Sequence, residues 1–347
     1  MRFFSILLAA FGLAGFAGPA SAAFINGQNY VALGDWAHAN GFYGSTRDRG
    51  QEIVLTNRNA RLVFDVNSAQ AQINGVNVRL SYPIASQKNV PAISSLDLET
   101  AVRPLIFAPN SIGKKITTIC LDPGHGGRDT GNRVGGLFFG HNEKTYTLAL
   151  AEELGTQLKK LGFNVVLTRH QDTYVELPMR PEIANHAGAD LFVSLHFNAT
   201  QTGKDEVSGP ETYCITPVGA ASSNAQGEGA DHGPTAANRV EQRSLLLAAQ
   251  VQKSLVRNLG VTDRGVRRAR FAVLRDATMP AILIEGGYMT HPAEGKRIFD
   301  SGYRRQMAAA IVKGILSYQK LTASSAPVPK KMPLRRSSAQ FSGTEIL

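Results

Sequence analysis

From residue 114 onward the sequence alternates short apolar runs with amphipathic stretches, and this rhythm constrains the fold more than any other feature. Apolar residues recur at intervals of three and four from Leu148 to Leu161, as on one face of a helix, and Gly162 follows where a helix-ending glycine is expected. Strands that alternate with helices are typical of a mainly parallel sheet flanked by helices. The pattern therefore predicts an α/β fold with strand 116–121, helix 148–161, strand 164–168, helix 180–187, strands 191–196 and 211–216, helix 243–259, strand 281–285 and helix 304–321.

The part of the chain before this region has a different pattern. Residues 24–86 contain several strand-like runs, and the pair Asn74-Gly75 stands between two runs of alternating apolar residues. An Asn-Gly pair in that setting is a strong signal for a hairpin with a type I′ turn. We therefore expect a small β-rich domain over 24–86, a linker over 87–113 with a short helical stretch around 96–102, and the α/β domain over 114–321.

The two ends of the chain predict its destination. Met1 and Arg2 precede an apolar run from Phe3 to Phe16 and the small residues Ala20-Ser-Ala22, which is the order of charge, apolar core and cleavage site in a signal peptide. The run is shorter than the ~20 residues that a spanning helix needs, and no other segment comes closer. We expect export, removal of 1–22 and no membrane span afterwards, with the protein in the periplasm or outside the cell. Residues 322–347 are rich in Ser, Pro, Lys and Arg and predict a basic disordered tail.

Charge and cysteine content narrow the function classes. The formal net charge of +10 favours approach to a polyanion, either a nucleic acid or an anionic cell wall, and predicted export favours the wall. The sequence contains no G-x-G-x-x-G or Walker pattern, so a nucleotide-binding site is not expected. Cys120 and Cys214 both lie in strand-like runs, so a disulfide between neighbouring strands and two buried thiols both remain open.

Four residues with metal-binding or acid–base chemistry stand at the ends of predicted elements. His125 follows the first strand in Asp-Pro-Gly-His-Gly-Gly, His196 ends the strand Ser-Leu-His, and Glu285 ends the strand Ile-Leu-Ile-Glu. Glu143 stands where the first long helix begins. Ligands of open α/β sheets bind outside the carboxyl ends of the strands, so we expect all four side chains to meet in one crevice.

The residue types of this group fit a catalytic zinc site. Two imidazoles and one carboxylate are a ligand set that leaves a fourth position for water, and zinc lowers the pKa of that water toward ~7. We assign His125, Glu143 and His196 as ligands and Glu285 as the base and acid that moves the water proton to the leaving nitrogen. Alternatives stay open: each His could be a hydrogen-bonded core residue, Glu143 could oppose the helix dipole, and His141 could replace Glu143 as a ligand.

Five motifs, in order, resemble one family. ICLDPGHGGRDTGN, NEKTYTLALAEEL, SLHFNA, DRGVRRARFAVLRDATMPAILIEGGYMTHPAE and YRRQMAAAIVKGI look like the zinc-dependent N-acetylmuramoyl-L-alanine amidases of the Amidase_3 type. The resemblance implies hydrolysis of the amide bond between N-acetylmuramic acid and L-alanine of peptidoglycan. It implies zinc binding by His125, Glu143 and His196, with Glu285 catalytic, and so favours Glu143 over His141. The segment EGGYMTH departs from the family's usual residues after the Glu, which puts details of the subsites in doubt.

The resemblance leaves other roles open. Asn198 and Arg264 stand in matched motifs and either bind substrate or hold their loops, and the loop 217–241 is a candidate lid. Whether an activator protein takes part also stays open. The nearest alternatives are a zinc peptidase that cleaves wall cross-links and a non-catalytic wall-binding protein, which we would expect to lack one of the four chemical residues.

A second resemblance concerns the N-terminal part. The runs INGQNYVALGDWA and ARLVFDVNSAQAQINGVNVRLSYP resemble the small N-terminal module first described in copper amine oxidases, which also occurs fused to wall enzymes. The resemblance brings no catalytic residue with it, and the sequence shows no cluster of copper ligands in this segment.

Overall fold

The computed structural model describes residues 22–107, 115–135, 140–223 and 233–323. The predicted signal peptide up to residue 21, the tail from residue 324 and the middle of the predicted lid, residues 224–232, lie outside this part of the chain. Within the described residues, no helix is long and apolar enough to cross a membrane.

The described elements alternate as expected in the second half of the chain. The strands are β1 (Ala22–Ile25), β2 (Gln28–Ala32), β3 (Tyr43–Arg47), β4 (Glu52–Thr56), β5 (Arg61–Asp65), β6 (Gln70–Ile73), β7 (Val76–Arg79), β8 (Ala85–Gln87), β9 (Val90–Ser94), β10 (Thr118–Pro123), β11 (Arg133–Val134), β12 (His141–Asn142), β13 (Asn164–Leu167), β14 (Leu191–Asn198), β15 (Glu211–Cys214), β16 (Val266–Arg268) and β17 (Ala281–Tyr288). The helices are α1 (Leu33–Ala39), α2 (Ser95–Asp97), α3 (Arg103–Ile106), α4 (Glu143–Lys160), α5 (Met179–His186), α6 (Glu241–Leu259), α7 (Ala272–Arg275), α8 (Pro292–Phe299) and α9 (Ser301–Ala323).

One long sheet organises the molecule, with the strand order β13-β10-β14-β17-β15-β16-β7-β6-β5-β4-β3. In its α/β half, β13, β10, β14 and β17 are parallel, whereas β15 runs antiparallel to β17 and parallel to β16. Ile119, Val193 and Ile282 lie in the same core as apolar residues of α4, α6 and α9, while Phe192 and Leu283 share a second cluster with residues of α5 and α7. The prediction of a mainly parallel sheet flanked by helices, preceded by a β-rich part, is confirmed.

The β-rich part is joined directly to the α/β part. Strand β7 pairs with β16 at Val78 and Val266, and the backbone N–H of Asn77 donates to Asp263 Oδ2 over 2.9 Å. The core of the α/β half also continues into the β-rich half, since Phe64 and Ile119 belong to the same buried cluster. A strand at the edge of a sheet exposes unpaired backbone groups. The pairing of β7 with β16 covers the edge of each part with the other part.

Two local predictions can be compared with the structure. The Asn74-Gly75 turn between β6 and β7 is confirmed, because both residues have positive φ, 53° and 78°, as a type I′ turn requires. The predicted linker contains regular structure over residues 87–107. These residues form the end of β8, strand β9, α2, a π-helical turn at Leu98–Val102 and α3, and their apolar side chains pack into the common core.

The two cysteines are free thiols, and both are buried. Cys120 lies on β10 and Cys214 on β15, with β14 and β17 between these strands. Neighbouring strands lie ~4.8 Å apart, so three strand spacings separate the two residues, well beyond the reach of a disulfide. Of the two alternatives that the sequence left open, the structure has the buried thiols.

Candidate metal centre and active site

A row of residues crosses the neighbouring strands β10, β14, β17 and β15, on the side of the sheet where the carboxyl ends of β10, β14 and β17 lie. Strand pairing sets His196 beside Glu285 and Glu285 beside Glu211, so the three side chains project from the same face. Gly124 continues the row, since its N–H donates to the carbonyl oxygen of Leu195 over 3.0 Å. A Cβ atom at Gly124 would lie 2.2 Å from Cε1 of His196, so the absence of a side chain there makes room for the imidazole ring.

His125 follows β10 in a backbone conformation that residues with side chains seldom adopt. Its φ is 63°, in the left-handed region, which costs ~1–2 kcal/mol for an L-residue. The side chain of Arg180 donates to its carbonyl oxygen over 2.9 Å, and its Nδ1 lies 2.8 Å from Asp129 Oδ2. The first contact holds the backbone and the second holds the imidazole, whose Nε2 faces Glu143.

Glu143 brings the two imidazoles together. It is the first residue of α4 and only 1% exposed, and its carboxylate oxygens lie 3.0 Å from His125 Nε2 and 3.0 Å from His196 Nδ1. The same oxygens accept backbone hydrogen bonds from Asn132, over 2.9 Å, and Phe197, over 3.0 Å. The carboxylate is therefore fixed by backbone donors independently of the two imidazoles.

These contacts shift the pKa values of the acid and of one base. Burial alone would raise the pKa of Glu143, but hydrogen bonds and charge from His125 and His196 outweigh it and hold the pKa well below its usual range. Burial alone would lower the pKa of His125, but its contacts with Glu143 and Asp129 raise it instead. Glu143 is thus an ionised, buried carboxylate.

The three side chains could hold a metal ion. One ligand atom from each of His125, Glu143 and His196 lies within 4.8 Å of the other two. A tetrahedral zinc ion with bonds of ~2.0–2.1 Å keeps its ligand atoms about 3.3 Å apart, close to the 3.0 Å separations from the carboxylate to each imidazole. The donor types fit that ion, and so do the two separations between Glu143 and the imidazoles.

Glu285 differs from Glu143 in having no partner for one oxygen. Its Oε2 atom is buried and makes no hydrogen bond to any residue in the described ranges. Burial raises the pKa of Glu285 well above its usual range, and the charges of Glu143 and Glu211 raise it further. A buried carboxyl group with a raised pKa, beside side chains that could hold a metal ion, is a candidate acid–base group.

The next residue in the row, Glu211, is fully engaged. Its Oε1 accepts from Arg264 Nε over 2.5 Å and from the Tyr288 hydroxyl over 2.8 Å. Its Oε2 accepts from the Tyr213 hydroxyl over 2.7 Å and lies 3.1 Å from Arg267 Nε. Burial alone would raise the pKa of Glu211, but the charge of Arg267 and the three hydrogen bonds lower it.

Comparison with known proteins identifies the family. The profile of the Amidase_3 family, described as N-acetylmuramoyl-L-alanine amidase, matches residues 119–317, more than half of the chain. The chain belongs to this amidase family. The match contains all four residues predicted for the chemistry.

The chain is also similar to individual proteins. The chain is 30% identical over 291 residues to the N-acetylmuramoyl-L-alanine amidase LytC of Bacillus subtilis, covering 83% of this chain and 50% of LytC. It is 31% identical over 233 residues to AmiA of Escherichia coli, covering 61% of this chain and 78% of AmiA. A crystal structure of an N-acetylmuramoyl-L-alanine amidase from Clostridium difficile aligns at 35% identity and a TM-score of 0.49, covering 60% of this chain and 98% of that one. The chain thus spans about half the length of LytC.

The structure also places three other sequence candidates, which are His141, Asn198 and Arg264. His141 stacks on Phe299 with ring centroids 3.7 Å apart, and its Nδ1 shares a hydrogen bond with the Tyr146 hydroxyl, so its ring is used outside the cluster. Asn198 lies two residues beyond His196, after a bulge, and its Oδ1 accepts the backbone N–H of Ala199. The side chain of Asn198 thus makes a local hydrogen bond, whereas the side chain of Arg264 donates to Glu211.

Sequence reasoning missed two arginines, Arg169 and Arg180, that support the end of β10 and the loop after it, which carries His125. The Nε atom of Arg169 donates to the carbonyl oxygen of Pro123 over 2.9 Å, and its Nη2 atom donates to the carbonyl oxygen of Gly124, also over 2.9 Å. Arg180 pairs with Asp122 over 2.8 Å, with both side chains almost fully buried. In the sequence, these arginines appear only as charged residues near apolar strands. Their position does not indicate which carbonyl oxygens they bind.

Proposed function

We propose that this protein is a zinc-dependent hydrolase of peptidoglycan that cleaves the amide bond between the lactyl group of N-acetylmuramic acid and L-alanine of the stem peptide. The observation that carries the proposal is the cluster of His125, Glu143 and His196 beside Glu285, whose buried oxygen lacks a partner among the described residues. Membership of the amidase family supports the choice of bond. The proposed catalytic domain, residues 114–321, contains all four residues.

The residues of the cluster divide the work of holding the metal. His125 would bind through Nε2, because its Nδ1 faces Asp129, and a carboxylate on the second nitrogen orients a metal-binding imidazole. His196 and Glu143 would complete the set. When bound, zinc would polarise the scissile carbonyl and lower the pKa of water toward ~7.

Glu285 would move the proton of the reaction. Its carboxylate would accept a proton from the attacking water and give it to the nitrogen of the departing L-alanine. A raised pKa brings a carboxyl group closer to neutral pH, where it can serve first as base and then as acid. The amide bond breaks and the peptide leaves with a free amino group.

The remaining expectations follow from this substrate. Peptidoglycan is the proposed partner, met in the periplasm or in the cell wall after export, and no role with nucleic acid is proposed. The net charge of +10 supports approach to an anionic wall. An activator protein stays a prediction without an assigned surface.

Two substitutions separate the roles of base and ligand. Glu285→Gln should retain bound zinc and lose hydrolysis of purified peptidoglycan by about 10²–10⁴-fold, because the proton acceptor is gone. His125→Ala should lose both zinc and activity, whereas His170→Ala, which removes an exposed imidazole, should keep both. Metal analysis and a turbidity assay measure the two properties. Full activity of zinc-free wild-type protein would contradict the proposal.

A further inference from the structure

The side of the row that lies away from the metal cluster carries an excess of positive charge. Glu211 is 2% exposed and offers one negative charge to two guanidinium groups, those of Arg264 and Arg267. The side chains of Arg264 and Arg267 are 27% and 23% exposed, so both are partly accessible to a ligand. From these contacts we infer that Arg264 and Arg267 form a receptor for a carboxylate on the leaving peptide of the substrate.

The guanidinium groups are positioned by the buried acid. Both arginines approach Glu211 with Nε, and the two tyrosine hydroxyls that also bind its carboxylate fix its orientation. The Nε atom of Arg267 is buried and lies 3.1 Å from Glu211 Oε2, but it forms no hydrogen bond of good geometry in the described part of the chain. Arg264 lies over the ring of Tyr288, 5.1 Å from its centroid. A planar, preoriented guanidinium is suited to a bidentate contact with a carboxylate.

The order of the row sets which part of the substrate meets the arginines. His196 lies on one side of Glu285 and Glu211 on the other. The proposed function puts the scissile carbonyl at the metal ligands and the leaving nitrogen at Glu285, so the departing peptide extends toward Glu211 and its arginines. One strand spacing is ~4.8 Å and one extended residue spans ~3.3–3.6 Å. The carboxylate recognised there therefore belongs to the first or second residue beyond L-alanine.

This inference rests on the proposed function and adds a substrate preference to it. Peptides with a free carboxylate just beyond L-alanine bind in the crevice more tightly than the corresponding carboxamides. The alternative is an ion-pair network that only ties the residues before β16 to β15 and β17. A structural network of that kind would not distinguish the two peptides.

The first experiment compares two synthetic muramoyl-L-alanyl peptides that differ only in a carboxylate or a carboxamide on the residue after L-alanine. With wild-type protein we expect kcat/KM to be about 10- to 100-fold higher for the carboxylate, the range for a charge-assisted hydrogen bond. Arg267→Gln should reduce this ratio to within about twofold of one. Arg275→Gln, which removes an exposed positive charge on α7, should keep the wild-type ratio. An unchanged ratio in Arg267→Gln overturns the inference, as does a wild-type ratio near one.

A second measurement needs neither catalysis nor a variant. Calorimetry of wild-type zinc-loaded protein with the released dipeptide and with its carboxamide should show about tenfold or more tighter binding of the carboxylate form. Equal affinities overturn the inference. If wild-type protein hydrolyses neither muramoyl peptide nor whole peptidoglycan, the proposed function fails, and the binding comparison still decides whether the arginines receive a carboxylate.

Discussion

Gly124 shows how a single missing side chain shapes the metal centre. The ring of His196 occupies the space in which a Cβ atom of residue 124 would lie, with three ring atoms within 2.7 Å of that position. Contacts below 3.0 Å cannot be kept, and His196 cannot move without leaving Glu143, whose oxygen lies 3.0 Å away. The glycine in Asp-Pro-Gly-His is therefore needed for its lack of volume.

Gly124→Ala should consequently displace His196 and weaken zinc binding. We expect zinc affinity to fall by about 10-fold or more, the scale of effects seen when the groups that orient a metal ligand are lost, with a matching loss of hydrolysis. Gly155→Ala on α4 is the matched control, because its Cβ would meet only Val165 and Leu121 at ordinary distances of 3.5 and 3.7 Å. Equilibrium dialysis with zinc measures the effect, and equal affinities in the two variants would contradict this account.

At the residue scale, the sequence allowed the candidate site residues to be placed where they stand near the ends of strands. His125 follows β10, whereas His196 and Glu285 lie near the carboxyl ends of β14 and β17, and parallel strands bring such ends to the same side of the sheet. Asp129 and Asn132 could not be given roles in the same way. Their contacts with His125 and Glu143 depend on how a glycine-rich loop turns, and local sequence patterns do not specify that path.

At the scale of elements, the loop after β10 is held by a buried ion pair. Asp122 on β10 accepts hydrogen bonds from the side chains of Thr168, Ser194 and Arg180, over 2.6, 2.7 and 2.8 Å. Arg180, on α5, also donates to the carbonyl oxygen of His125. Helix α5 is thereby linked both to the central sheet and to the loop that carries a proposed metal ligand.

Arg180→Met should leave Asp122 as a buried charge without its cation and lower the free energy of unfolding by about 3–5 kcal/mol. Arg128→Met is the contrasting variant, since Arg128 and Glu176 are exposed and lie 3.4 Å apart, and such a surface pair contributes ~0–1 kcal/mol. Urea unfolding of both variants measures the difference. Similar stabilities would show that the Asp122 pair does not hold the loop.

The helices and strands of the α/β half were predictable because their apolar periodicity is long and regular. The sequence did not predict α8 (Pro292–Phe299), nor β16 (Val266–Arg268) and α7 (Ala272–Arg275), which have only three and four residues. Three residues are too few for a periodic signal. The arginine that we assign to carboxylate binding, Arg267, lies on β16, so missing the strand also hid the neighbourhood of Glu211.

At the scale of the whole molecule, the β-rich and α/β parts share one sheet and one core. Sequence patterns separated them correctly by type but assigned a linker between them, because a change of rhythm looks like a boundary. Which edge strands pair is decided by contacts between distant residues, such as Asn77 with Asp263. A pattern confined to a short window contains no information about such a pairing.

We propose that the protein cleaves the amide bond between N-acetylmuramic acid and L-alanine. Identifying the reaction products tests this proposal. Purified peptidoglycan would be digested with the zinc-loaded wild-type protein, with Glu285→Gln as the inactive control, and the products identified by mass spectrometry. We expect intact stem peptides that begin with a free L-alanine amino group and glycan strands with free lactyl carboxyl groups. Cleavage within stem peptides or cross-links, with the muramoyl amide intact, would contradict this proposal.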